Sequence, residues 1–326
     1  MFVDSSLIKL EDNGLVDISL AVKDSVNIVK NYISSSKIKP KLAIVYINDD
    51  NNEQYSTINE MKTIMEYMGV EVQLYIFGPL IEEVLIIPHI KDLNSQYNGI
   101  ILTGAATICY DIDKLRNYID PDKRIDGLGD DNIGKIIRNN LNSYTCPEVR
   151  IIFGLLSKLI CMESINLCKE SKILIISDKD DKNIAMKLLA AEFANAEYSY
   201  TYYNYYDSEE NNDLINLIED SHIVIVSCKN PKLINHIYVA NSTTIYDDRR
   251  FNTFDKLLID CGTVTVGCNT YGNVDGKLIA KYINNNKMDG ENRIRYTESI
   301  YKYPELFAAA LTNNLIQAYH NQNKDD

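Results

Sequence analysis

The stretch KLAIVYIN (41–48), followed by a helical pattern and then by VEVQLYIF (70–77), decides the fold. A nearly unbroken aliphatic and β-branched run reads as a strand covered on both faces, the condition of a strand in a parallel sheet. Between the two runs Ile58, Met61, Met65 and Met68 recur every three or four residues and stop at Gly69, as on a helix closed by a C-terminal glycine. A crossover helix of this kind joins parallel strands. Working outward, a helix over 16–34 precedes the pair, and a helix over 81–97 with the strand GIILTG (99–104) follows. An apolar helix over 149–159 leads to a second series: KILIIS (172–177), a helix over 183–193, a strand near 197–202, a helix over 212–219, and strands over 222–227 and 257–262. The order predicts an α/β fold with two lobes, the second having the pattern of a doubly wound, Rossmann-like domain. The closing helix, 305–319, is long enough to cross back onto the first lobe.

The bulk numbers agree with two lobes. At 326 residues the chain exceeds what one core commonly fills. A formal net charge of -13 excludes a broad electrostatic footprint for nucleic acid or an anionic membrane surface. The seven cysteines contain no C-x-x-C pair, so a structural zinc site is not expected, and no metal is. Cys161, Cys168, Cys228 and Cys261 lie in apolar or strand-like surroundings, as reduced thiols do in a cytosolic protein. The opening residues have no signal-peptide order, and no apolar run reaches about 18 residues.

The most closely punctuated segment is IDPDKRIDGLGDDNIGK (119–135). Gly, Pro and Asp at this density turn a chain, and the segment reads as a hinge between the lobes. A second reading is that Asp126-Gly127 holds a carboxylate at a cleft edge, with Asn132 and Gly134 fixing the loop beyond. The scattered histidines, His89, His222, His236 and His320, suggest no triad.

With these pieces in order, the chain resembles the bifunctional methylenetetrahydrofolate dehydrogenase/cyclohydrolase family. The family writes P-x-K-D-V-D-G-F followed by N-x-G, and Pro121, Lys123, Ile125, Asp126, Gly127, Asn132 and Gly134 fall in step. Cys146-Pro147 sits where P-C-T-P is expected, LLIDCG is similar to V-I-D-V-G, and Gly272-Asn273-Val274-Asp275 is similar to G-D-V-D. Pro304, Leu311 and Asn313 follow the closing motif. The resemblance implies an amino-terminal folate-type catalytic domain over 1–148, completed by the helix 305–320, and a dinucleotide-binding-type domain over 149–295. It implies a cytoplasmic homodimer that oxidises methylenetetrahydrofolate with NADP or NAD and hydrolyses the methenyl product. In it, Asp126 would grip the pterin, because a carboxylate accepts two parallel hydrogen bonds from an amino-pyrimidine edge.

Other positions depart from the family. Counting back from Gly69, its tyrosine and lysine fall on Thr57 and Met61, and its glutamine on Thr103. A thioether cannot deliver a proton as an ammonium can. Tyr55, Asn59 and Lys62 share a helical face, so Lys62 is the one candidate rescue, against its plainer reading as a solvated lysine. On the cofactor side, G-R-S-x-x-V-G-K-P is replaced by SDKDDKNIA (177–185), which has no glycine. Its family-equivalent positions Ser177, Asp178 and Lys179, with Lys229 in place of a second glycine, form a degenerate site in which acids would face an anionic ligand. Two functions therefore stand side by side: an impaired dehydrogenase/cyclohydrolase, and a non-catalytic relative that binds folate or a partner.

Overall fold

A computed structural model describes residues 5–47, 52–104, 112–140, 142–160, 170–178, 184–205, 212–230, 232–234, 256–261, 264–266, 269–286 and 294–323. In chain order its elements begin with β1 (Lys9–Leu10), β2 (Val16–Asp17), α1 (Ser19–Ser36), β3 (Lys41–Ile47), α2 (Asn52–Tyr67), β4 (Glu71–Phe77), α3 (Glu83–Gln96), β5 (Gly99–Gly104), α4 (Ile112–Arg116), α5 (Asp130–Ile137) and α6 (Pro147–Ile160). There follow β6 (Ile173–Asp178), α7 (Ala185–Asn195), β7 (Tyr200–Tyr205), α8 (Asn212–Glu219), β8 (Ile223–Ser227), β9 (Lys256–Asp260), β10 (Val264–Val266), β11 (Asn269–Tyr271), α9 (Gly276–Asn286), β12 (Ile294–Tyr296) and α10 (Pro304–Gln322). The fold is α/β, and its contacts divide the chain into two units: Val22–Ile151 with Pro304–Asp326, and Phe2–Ala21 with Ile152–Tyr303.

The first unit is built on a three-stranded parallel sheet of order β4-β3-β5. Alternation along β3 sends Leu42, Ile44 and Tyr46 to one side, where they meet Ile33 of α1, Met65 of α2, Met68 just beyond it, and Ala308, Leu311 and Leu315 of α10. Ala43, Val45 and Ile47 go to the other side, against Ile86, Ile90 and Leu93 of α3. Burial on both faces is why the run has no polar alternation, and each large aliphatic side chain so buried contributes about 1.5–3 kcal/mol. The three consecutive alanines of α10, Ala308, Ala309 and Ala310, are fully buried, which lets that helix approach its neighbours closely.

The second unit has a five-stranded parallel sheet of order β12-β9-β8-β6-β7. From β6 the chain goes first to β7 on one side and then to β8 on the other. The topological switch point of this Rossmann-like sheet therefore lies at the carboxyl ends of β6 and β8. Several boundaries differ from the sequence reading. The strand expected near 197–202 begins at Tyr200, because Glu197 takes a positive φ of 60° in the turn after α7. The first residues, read as part of the amino-terminal lobe, pack in the second unit: Leu15 bridges Tyr296 in parallel, and Arg295 Nη1 donates to Glu11 O at 3.0 Å. The two-residue strands β1 and β2 are too short to show a period. Cys146, Cys228 and Cys261 are buried free thiols, whereas Cys161 and Cys168 lie outside the described residues. Among the described residues no helix is long and apolar enough to cross a membrane, and no group of three or more His, Cys, Asp or Glu side chains could hold a metal ion.

Candidate functional site

The Asp126 loop is held by side chains from three directions. Gly127 turns the chain with φ +78°, and a Cβ there would stand 2.8 Å from Tyr144 O and 2.9 Å from Cys146 N, so only glycine fits. Asn132, on the first turn of α5 and fully buried, donates through Nδ2 to Gly127 O at 2.8 Å and Tyr144 O at 2.7 Å, while its Oδ1 accepts from Tyr144 N at 2.7 Å. From α10, Asn314 Nδ2 donates to Ile125 O at 2.7 Å and Thr145 O at 2.9 Å, and its Oδ1 accepts from Arg150 Nη2 at 2.8 Å. A segment pinned in this way inside the first unit is not the hinge that its composition suggests. Its backbone groups are paired with buried amides rather than with water. Of the two loop-fixing residues expected, Asn132 does this; a Cβ at Gly134 would meet open space.

Asp126 itself is buried. Its Oδ1 accepts from Leu128 N at 3.1 Å, and its Oδ2 lies 3.7 Å from Arg116 Nε. Burial pushes its carboxyl above the usual range, and the nearby Arg116, the Leu128 amide and Arg124 draw it back only in part. The folded chain thus keeps this proton to higher pH than the unfolded chain does. Stability falls as pH rises from 3.8 through the folded value, and the cost is complete once the buried carboxyl has ionised. Asp126→Asn, which keeps an acceptor for Leu128 N without the charge, is expected to be more stable than wild type at pH 7, the gap closing as pH falls towards 3.8. Urea denaturation of both chains at pH 7 and pH 4 checks this; a variant less stable at pH 7 would mean that the Arg116 attraction outweighs burial. Cys146 is no nucleophile: burial pushes its thiol well above the ordinary value, and its Sγ donates to Glu148 Oε2 at 2.8 Å.

On α2 neither family-equivalent position carries a titratable group, and the candidate rescue is paired. Met61 is half-buried and packs on the core that holds Met65 and Met68, and Thr57 is exposed. Lys62 Nζ bonds Glu66 Oε1 at 2.6 Å, one helical turn along. Thr103, near the end of β5, pairs in register with Tyr46, whose ring centroid is 6.2 Å from that of Tyr55 at the start of α2. Tyr46 therefore links the strand end to the helix that carries Tyr55, Thr57 and Met61. Among the described residues, the bonds of Asp126 run to Arg116 and Leu128 rather than to α2.

In the second unit Ser177 and Asp178 end β6, Ser177 being fully buried. Asp178 Oδ2 accepts from Lys229 N at 2.6 Å, so the structure brings these two predicted positions together, while Lys179 lies outside the described residues. Nearby, Asn273 donates to Cys228 O at 2.8 Å and Asn230 O at 2.6 Å and accepts from Cys228 N at 2.9 Å. Asp260, ending β9, accepts from Asn273 N at 3.0 Å and Val274 N at 2.9 Å. A Cβ on Gly272 would lie 2.0 Å from Asp260 Oδ2. The described residues here do not fit a dinucleotide pyrophosphate: the Asp178 carboxylate stands at the end of β6, where the turn that follows would have to receive an anion, and it is tied to the Lys229 amide beyond β8. Arg116, Arg150 and Asn314 were not singled out in the sequence, and no local spacing marks them; Asn273 was seen only as part of the stretch similar to G-D-V-D.

No family model matches the chain. A protein named bifunctional protein FolD from Hydrogenobaculum sp. is 31% identical over 131 residues, which is 40% of this chain and 46% of that protein. Its namesake from Agathobacter rectalis is 23% identical over 232 residues, covering 71% and 78% of the two chains. The crystal structure of the Trypanosoma brucei methylenetetrahydrofolate dehydrogenase-cyclohydrolase, complexed with NADP and an inhibitor, shares the fold with a TM-score of 0.71 at 15% identity, over 93% of this chain and 94% of that one. Ordered motifs, distant sequence relatives and a common fold all relate the chain to bifunctional FolD proteins and methylenetetrahydrofolate dehydrogenase-cyclohydrolases, to which it is similar at low identity.

Proposed function

We propose that the chain binds a reduced folate through Asp126 and performs neither the hydride transfer nor the hydrolysis of the family. The observation that carries this reading is the state of α2. Met61, where the family has its lysine, packs into the core, and the neighbouring ammonium of Lys62 is engaged by Glu66. Among the described residues, α2 then offers no proton donor of the family's kind for the one-carbon bridge. Thr57 and Thr103, for tyrosine and glutamine, remove the groups that would tune such a donor. Asp126 supports the binding half. A desolvated carboxylate costs the fold stability, and such groups collect at ligand sites; this one is kept on a loop anchored by Asn132 and Asn314. The proposal keeps a cytoplasmic homodimer as the setting.

Calorimetric titration with tetrahydrofolate and 5,10-methylenetetrahydrofolate, beside a spectrophotometric hydride-transfer assay with NAD and NADP, tests both halves. Wild type is expected to bind folate saturably and show no turnover. Asp126→Ala is expected to weaken binding roughly 100-fold, the equivalent of about 3 kcal/mol for two charge-assisted hydrogen bonds. Steady hydride transfer would restore the impaired-enzyme reading; absence of folate binding would end the binding one.

A further inference from the structure

We infer that the second unit carries its own anion where a dinucleotide would place its pyrophosphate: the Asp178 carboxylate spans the switch point between β6 and β8 and keeps nicotinamide dinucleotides out. In open α/β sheets, ligands bind beyond the carboxyl ends of the strands at the point where strand order reverses. Here that point lies between β6 and β8. What recognises a phosphate there is unpaired backbone N–H. The first two amides beyond β8 are both engaged by side chains of this chain: Cys228 N donates to Asn273 Oδ1 at 2.9 Å, and Lys229 N to Asp178 Oδ2 at 2.6 Å. The next residue is drawn across to the end of β7, where Asn230 Nδ2 donates to Tyr205 OH at 2.8 Å. Four strand ends are thus tied by an internal polar network running from Tyr205 through Asn230, Asn273 and Asp260, with Asp178 bonded into the β8 end.

Charge points the same way. Aligned on SDKDDKNIA, Asp178 takes the place of the arginine in the family's G-R-S, so an anion arriving at this crevice meets a negative group where the motif offers a positive one. The inference concerns the second unit alone and is read without folate, so it stands or falls separately from the Asp126 proposal.

Isothermal titration of the full chain with NADP, NAD and inorganic pyrophosphate tests it. Wild type is expected to show no saturable binding up to about 1 mM. Asp178→Gly, which frees the Lys229 amide, is expected to raise pyrophosphate affinity about tenfold or more, the factor that losing about 1.4 kcal/mol of repulsion produces. Asp178→Asn, which keeps an acceptor for Lys229 N and so preserves the fold, is expected to give a smaller gain and decides the question if the glycine variant does not fold. Wild-type binding of either dinucleotide with Kd below about 100 µM overturns the inference. So does equal silence of wild type and the folded variants.

Discussion

Asn132→Ala is expected to lower the unfolding free energy by about 3–4 kcal/mol, a large share of a domain's stability. The amide makes three buried hydrogen bonds, two given and one received, and all three end on backbone groups of the loops at Gly127 and Tyr144. Alanine would leave two carbonyls and one N–H buried without those partners. Each lost bond is worth about 1 kcal/mol net, and stranded polar groups add to that. Asn132→Asp should be at least as harmful, since a carboxylate cannot donate to Gly127 O and Tyr144 O. The exposed Asn59 on α2 supplies the control, with an expected change within about 0.5 kcal/mol on alanine substitution. Urea denaturation of these three variants beside wild type reads the difference, and a loss below about 1 kcal/mol at Asn132 would show that the loop is held some other way. Because the same bonds fix the turn that presents Asp126, folate affinity should fall in the variant as well.

How far these features could be read in advance depends on where their causes lie in the chain. The β3 strand announced itself because both its faces are buried, so the six residues in succession after Lys41 carry the signal. The hairpin strands β10 and β11 and the strand β12, three residues each, are too short to display a period; the pairing of β10 with β11 and of β12 with β9 supplies what their sequence does not. Asp126-Gly127 was legible from the turn chemistry of its own neighbours. Its support was not, since Asn314 reaches Ile125 across 189 residues of sequence and nothing within α10 distinguishes that asparagine from Asn313 beside it. Asp178 illustrates an intermediate case. Its charge was visible as a source of repulsion, whereas its bond to the Lys229 amide follows only from the parallel pairing of β6 with β8.

Lys256 offers a second large effect, with a pH dependence of definite sign. This lysine opens β9 with its whole side chain buried, and its ammonium donates to Ile218 O, to Glu219 O at 3.3 Å and to Ser221 O at 2.7 Å, the carbonyls around the end of α8. It closes a helix terminus from a neighbouring strand, in the place where a cation also meets the negative end of the helix dipole. Lys256→Met keeps the bulk but leaves those acceptors without it, at an expected cost of about 2–4 kcal/mol at pH 7. Burial meanwhile pushes the ammonium down from 10.5 to about 7, with Glu219 and Asp220 opposing the shift. Between those two pH values the unfolded chain binds more protons than the folded one, so the contribution of this residue to stability rises with pH across the window and is complete above it. The methionine variant lacks that slope. Tyr144 and Tyr303, raised to about 12, and the buried Cys146 thiol slope the other way, yet they are common to both chains and cancel in the difference. The stability gap between wild type and variant should therefore widen from pH 7 to pH 10 in paired denaturation curves. A gap that narrows would mean that the three carbonyls hold the proton on Lys256 more strongly than burial removes it.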